Sequence, residues 1–275
     1  MLRVSGVAGA IVFVEGPRDA RLLRRVLNSA LAIVVTTAKY LVIEAVLEAK
    51  RLGCAGVVGL VDSDGETVPA SCANDNLVAW DWHDCEITIV ESVGFDSIIA
   101  EYCTDTNKVA KCLAHLGCAN IRALLYCMVA RAGMARLIAR QRGVHLRFDE
   151  VEIANHFDTK TLSLKLGGYL RACLEASDGL ASEAATLEDA VVSAVEGFQD
   201  DVRDLVHGKD VVSALAFSMR NGLASASGKK RLPSSEAAWL GVLHVCFSVG
   251  DFEETKIARA LRRWQRCNPS YPMWP

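Results

Sequence analysis

Two aspartates separated by one residue, Asp62 and Asp64 in the run Val-Asp-Ser-Asp-Gly ending at Gly65, present carboxylates from a tight turn toward one point. Hard divalent cations take oxygen ligands. Magnesium in particular is held by one or two carboxylates, with the remaining positions left to water and phosphate. A third carboxylate, Glu15, closes the apolar run AIVFV just ahead of Gly16 and Pro17. It can serve as a further ligand for Mg2+ or Mn2+, or act on a proton if its surroundings push its pKa toward neutrality. Three such carboxylates on one point can run metal-assisted phosphoryl chemistry. A lone Asp-x-Asp-Gly is also an ordinary turn, so the functional reading depends on the conjunction of the two motifs.

That conjunction requires elements that bring residues 15 and 62 together. The run ending at Val14 is too short for a helix and stops at Glu-Gly-Pro, which predicts a buried strand followed by a turn. Pro17 suits a first helical turn. Leu22, Leu23, Val26 and Leu27 then form an apolar stripe, with Arg18, Arg21, Arg24 and Arg25 on the wet side. A second strand is expected over 32–35, a helix from about Thr37 to Arg51 ended by Gly53, and a third strand over 56–61. Short unalternated apolar strands separated by amphipathic helices predict an α/β fold, with a parallel sheet flanked by helices. Ligands bind such sheets beyond the carboxyl ends of the strands, which is where both Glu15 and Asp62 fall.

Another strand is expected over 77–80. Beyond it the pattern is mostly helical: one helix over about 84–102, then 106–116, 121–142, 161–176, 187–206, 211–219, 235–249 and 252–265. A short strand over 144–148 interrupts them, and loops are expected over 177–182 and 221–233. The organisation is thus an α/β domain over 1–143 followed by a helical C-terminal domain over 144–275.

Composition narrows the classes. The chain has 275 residues, 51% of them hydrophobic, enough to bury a full core. No apolar run reaches the length of a membrane span, and a soluble, cytoplasmic protein is expected. The ten cysteines are scattered singly without C-x-x-C spacing, which speaks against a zinc site and for small buried hydrophobes in a reduced compartment. A net charge of -3 argues against nonspecific coating of nucleic acid, so basic contacts to such a partner must be local.

IVFVEGPRDARLL followed by VVGLVDSDGE resembles the TOPRIM fold, in which a strand-end glutamate and an Asp-x-Asp pair bind magnesium. Three further stretches are similar to segments of the DUF4435 family of TOPRIM proteins: WHDCEITIVE at 82–91, VHGKDVVSAL at 206–215, and WLGVLHVCFSVGDFEETKIARALRRWQR. The resemblance covers nearly the whole chain. It implies a metal-dependent nuclease of the kind that serves as the effector of a two-component anti-phage defence system, restrained by a partner ATPase and cutting tRNA, other RNA or DNA. Carried over by residue, it makes Glu15 the catalytic carboxylate and Asp62 and Asp64 metal ligands. Asp84 and Glu86 become further site residues.

Asp19 matches an acidic position of the first motif and also suits a helix first turn, where the macrodipole favours acids. Arg18, with Arg21, Arg24 and Arg25, could meet nucleic-acid phosphates, as could Lys229, Lys230 and Arg231 in the later loop. His83 is the histidine nearest the acidic cluster in sequence. Ile257, Leu261 and Trp264 should face inward from the last helix, and the apolar faces of the helical half suit a homodimer. Two other functions fit some of these residues. One is a phosphatase of the haloacid dehalogenase type with Asp62 as nucleophile. The other is a non-catalytic TOPRIM-shaped module that docks on an ATPase.

Overall fold

The computed structural model describes residues 9–63, 76–177 and 184–274. In chain order the elements are β1 (Ile11–Val14), α1 (Pro17–Val26), β2 (Ala32–Val35), α2 (Lys39–Arg51), β3 (Val57–Val61), β4 (Leu77–Ala79), α3 (Cys85–Val90) and α4 (Val93–Tyr102). There follow α5 (Thr106–His115), α6 (Ile121–Gln141), α7 (Leu166–Ala176), α8 (Ala184–Glu196), α9 (Val202–Leu205) and α10 (Gly208–Ser218). The last are α11 (Ala226–Lys229), α12 (Glu236–Cys246), α13 (Val249–Glu253) and α14 (Lys256–Cys267). Asp64, most of the polar stretch over 67–76 and most of the loop over 177–182 lie outside the described residues.

The chain divides into two compact units. One comprises residues up to Gly94 together with those from His244 on, and the other is Phe95–Leu243. The boundary expected near Gly143 therefore falls inside the second unit. The C-terminal segment belongs with the α/β part because it is bonded there. The Asp81 carboxylate accepts from the free N–H groups of Lys256 and Ile257 at 2.6 and 2.9 Å, Trp264 Nε1 donates to Asn76 Oδ1 at 3.0 Å, and Asn28 N–H donates to the Met273 carbonyl at 2.8 Å. Ile257, Leu261 and Trp264 are buried, as the helical period of their spacing predicts.

The sheet of this unit is four-stranded and wholly parallel, in the order β2-β1-β3-β4. Its central strand β3 is buried at every position, which suits the unalternated sequence VVGLV. Gly59 allows α2 to sit close: a Cβ there would lie 2.8 Å from Leu77 Cδ1, Val42 Cγ1 and Val46 Cγ2. In α1, Leu22, Leu23 and Val26 are buried against the sheet while Arg18, Arg21, Arg24 and Arg25 stay exposed. Gly53, after α2, takes a left-handed φ of 68°.

The second unit is helical, with α6 packed on α8, α9 and α10. Three sequence expectations change. No strand forms over 144–148; Phe148–Glu150 is a 3-10 turn, since no partner strand offers that segment a ladder. The expected helix over 187–206 is broken, with α8 ending at Glu196 and α9 starting afresh at Val202, where Asp201 accepts from Arg203 N–H. The expected loop over 221–233 contains a π-turn, Met219–Leu223, and α11, which is capped by Ser225. The described cysteines are free thiols, with Cys85, Cys103 and Cys173 buried as small hydrophobes.

Candidate functional site

Parallel pairing sets the site. Val14 of β1 lies opposite Leu60 of β3, so the residue after β1 and the residue after β3 leave the sheet on the same edge. Glu15 Oε1 accepts from the Asp62 N–H at 2.7 Å. The Glu15 backbone is fixed from its other side, where the Thr37 N–H donates to its carbonyl at 3.0 Å. Thr37 adopts a φ of 76°, a left-handed conformation that β-branched residues rarely take and that costs about 1–3 kcal/mol.

The end of β4 brings the second group of acids to this edge. Ser63 N–H donates to the His83 carbonyl at 3.1 Å, and Ser63 Oγ to the Trp82 carbonyl at 2.6 Å, so the turn after β4 is tied to the turn after β3. Asp84 caps α3, accepting from Ile87 N–H at 3.0 Å, and His83 Nδ1 lies 3.5 Å from its other oxygen. Glu86 is buried and pairs with Arg18 Nη1 at 2.9 Å; the Cys85 thiol donates to it at 3.1 Å. Asp19 is buried too, accepting from Gly16 N–H at 2.9 Å and from Trp80 Nε1 at 3.0 Å. The expected helix over 84–102 is two helices, α3 and α4. They part because the Asp251 carboxylate takes the N–H groups of Val93 and Gly94.

The structure therefore brings Glu15, Asp19, Asp62, Asp84 and Glu86 to one sheet edge, with Arg18 and His83 beside them. The electrostatics follow from this crowding. Burial first, then the charges of Asp84, Asp19, Glu15 and Glu86, push the Asp62 carboxyl up to about 10. Asp19 is raised by burial, against the opposing bonds from Gly16 and Trp80. Glu86 is raised by burial and by Asp84, with Arg18 pulling the other way. The Cys85 thiol is held well above its usual range by burial and the surrounding acids, so it is a thiol and not a nucleophilic thiolate.

Among the described residues, no group of three or more His, Cys, Asp or Glu side chains is arranged to hold a metal ion. Asp64, the third expected ligand, lies outside them. The donor chemistry nevertheless fits a hard divalent cation. All the acids present oxygen, and no donor among the described residues bonds the Asp62 carboxylate although four like charges act on it.

Two side chains here escape a sequence reading. Lys39, the first residue of α2, reaches the Ser63 carbonyl with its Nζ at 3.4 Å, placing a cation beside the aspartate turn. Its signal was available, since α2 follows β2 and starts at the same edge of a parallel sheet. Trp80 has no such signal, because its bond to Asp19 joins residues 61 positions apart. The basic run Lys229–Arg231 falls in the helical unit, where Arg231 pairs with Glu101.

No family model, no curated protein and no solved structure matches the chain. No helix among the described residues is long and apolar enough to cross a membrane.

Proposed function

We propose that the chain is a metal-dependent nuclease of the TOPRIM type, cleaving phosphodiester bonds of RNA or DNA at the edge where Glu15 and Asp62 meet. The observation that carries this reading is the Asp62 carboxylate, which stands at a strand end without a donor among the described residues while four other acids raise its pKa. A cation relieves such crowding, and a polyanionic substrate needs one. When bound, the ion supplies charge neutralisation for the phosphoryl group and activation of the attacking water.

The chain's own residues then divide the work. Asp62 and Asp64 would hold the cation. Glu15 fixes the Asp62 backbone through its Oε1. Arg18, half exposed, holds Glu86 and offers the rest of its guanidinium fork to a phosphate. Trp80 and Gly16 keep Asp19 oriented. The resemblance to the DUF4435 family further suggests an anti-phage effector, a partner ATPase and tRNA as substrate.

The test is digestion of tRNA, single-stranded oligonucleotides and plasmid with Mg2+, with Mn2+ and with EDTA. Cleavage should need the metal and vanish in Glu15→Ala and Asp62→Ala with the fold intact by circular dichroism. Metal-dependent cleavage that persists in both variants would remove this site from consideration. Turnover of an aryl phosphate with phosphate trapped on Asp62 would replace the nuclease by a phosphatase.

A further inference from the structure

A second feature of the α/β unit lies outside the acidic cluster. His244, at the C-terminal end of α12, is 3% exposed, and neither of its ring nitrogens has a hydrogen-bond partner. Buried polar atoms are nearly always satisfied, so two orphans on one ring call for a specific account. The surroundings supply it. Arg18, Arg21 and Arg25 recur at i, i+3 and i+7 on α1 and form one exposed stripe. All three act on His244: burial first, then the charges of Arg21, Arg25 and Arg18, hold the imidazole down to about 4, hence neutral.

The arginines are not equivalent. Arg25 donates to the carbonyls of His244 and Val245 and so closes the end of α12. Arg18 is tied to Glu86. Arg21 makes no hydrogen bond or ion pair among the described residues. Arg24 points about 90° away from the centre of the stripe and is absent from the field at His244.

We propose that the Arg18, Arg21 and Arg25 face of α1, with His244 at its base, is a track for the phosphate backbone of a nucleic acid leading to the Glu15 and Asp62 edge. An oxyanion there would accept from Arg21. It would also neutralise the field that keeps His244 uncharged. Arg18 and Arg25 stand about 10 Å apart along the helix axis, so the stripe addresses more than one phosphate of a chain. Arg18 joins the track to the acids, because the same guanidinium that begins the stripe holds Glu86. The inference rests on the nucleic-acid reading above and names how the backbone is gripped.

The experiment is binding of a fluorescein-labelled 20-nucleotide single-stranded RNA, and the DNA of the same sequence, to the full chain in EDTA. No cleavage then enters the readout. Arg21→Glu should weaken binding at least tenfold and lower the slope of log affinity against log salt by about one or more. Arg24→Glu, with the same change of charge, should stay within twofold of wild type. The imidazole 15N resonances of His244 in the wild type should shift on adding the oligonucleotide, because the bound phosphates offset the arginine field at the ring. Equal effects of Arg21→Glu and Arg24→Glu would overturn the track, leaving only net charge. So would inorganic pyrophosphate displacing the oligonucleotide at equal concentration, since that marks a site for small phosphates. A nuclease that cleaves but is indifferent to Arg21→Glu loses the track and keeps its active site. A chain that binds through Arg21 yet never cleaves with Mg2+ or Mn2+ keeps the track and loses the nuclease.

Discussion

Glu15 and Asp62, 47 residues apart in sequence, are joined at 2.7 Å by a bond from the Asp62 N–H to a Glu15 carboxylate oxygen. This makes Glu15 both a chemical group and a clamp on the turn that carries the aspartates. Glu15→Ala should therefore remove metal-dependent cleavage, and it should also free the Asp62 N–H. Glu15→Gln keeps an acceptor oxygen for that N–H and separates the two roles. The expected outcome is that Glu15→Gln retains the thermal stability of wild type to within about 1 kcal/mol, while its cleavage rate falls at least a hundredfold. Calorimetric unfolding beside a gel assay reads both.

Asp62 gives a pH dependence whose sign can be worked out. Its carboxyl is raised to about 10 in the folded chain against an ordinary value near 3.8. Without metal, the folded state binds a proton there more tightly than the unfolded state does. The associated stability is fully present below pH 4 and is lost as pH rises toward 10. Asp62→Asn removes that loss. Metal-free Asp62→Asn should be more stable than wild type at pH 8 and inactive, and wild type should regain the difference on adding Mg2+. Denaturant midpoints across pH 5–9, with and without Mg2+, decide it.

Much of the α/β unit was legible because its signals are local. AIVFV stopping at Glu-Gly-Pro marks β1 and the start of α1, and VVGLV ahead of Asp62 marks β3 without needing its partner. What local pattern cannot carry is pairing. That β3 and not β2 lies beside β1 on the side of Asp62 follows from strand order, and only that order lets Glu15 reach residue 62. The break between α3 and α4 was hidden for a similar reason. No Pro stands there, and the cap comes from Asp251, 158 residues from Val93. The return of the C-terminal segment to the first compact unit has the same origin. A composition shift near Gly143 is visible, whereas the Asp81 cap on α14, which returns the C-terminal segment to the first unit, spans 175 positions. Among the site residues, the acids stood out by type, but the burial of Glu86 and of His83 depends on packing that no short window contains.

His244 yields a prediction of opposite sign from Asp62. A histidine held down to about 4 must stay neutral in the fold, while in the unfolded chain it titrates near 6.5. Its contribution is present above pH 6.5 and is lost as pH falls through 4. His244→Gln should flatten the acid limb of the stability curve between those values. A variant that keeps the full acid slope would place the loss elsewhere.

Gly59 tests the central packing. Any Cβ there meets Leu77, Val42 and Val46 at 2.8 Å, so both α2 and β4 would have to shift. Gly59→Val should destabilise by about 1–3 kcal/mol through overpacking. It should also reduce cleavage beyond the loss of folded protein, because β4 carries the turn with Asp84 and α2 carries Lys39. Cleavage normalised to the folded fraction, from urea titration, measures that second effect.

The helical unit holds its own buried charge pair, Arg136 with Asp210, where the guanidinium also lies over the Phe148 ring and 3.5 Å from the Tyr169 hydroxyl. Asp210 belongs to the Gly-Lys-Asp start of α10. Removing one partner of such a pair strands the other in a low-dielectric interior. Asp210→Ala should therefore cost about 3–5 kcal/mol. Replacing both partners with apolar residues of similar volume, as in Arg136→Met with Asp210→Leu, avoids the stranded charge. That double variant should recover most of the loss, and urea unfolding of the two variants compares them directly. If the pair instead serves the chemistry, the double variant will regain stability and remain inactive in the cleavage assay, which separates a packing role from a functional one.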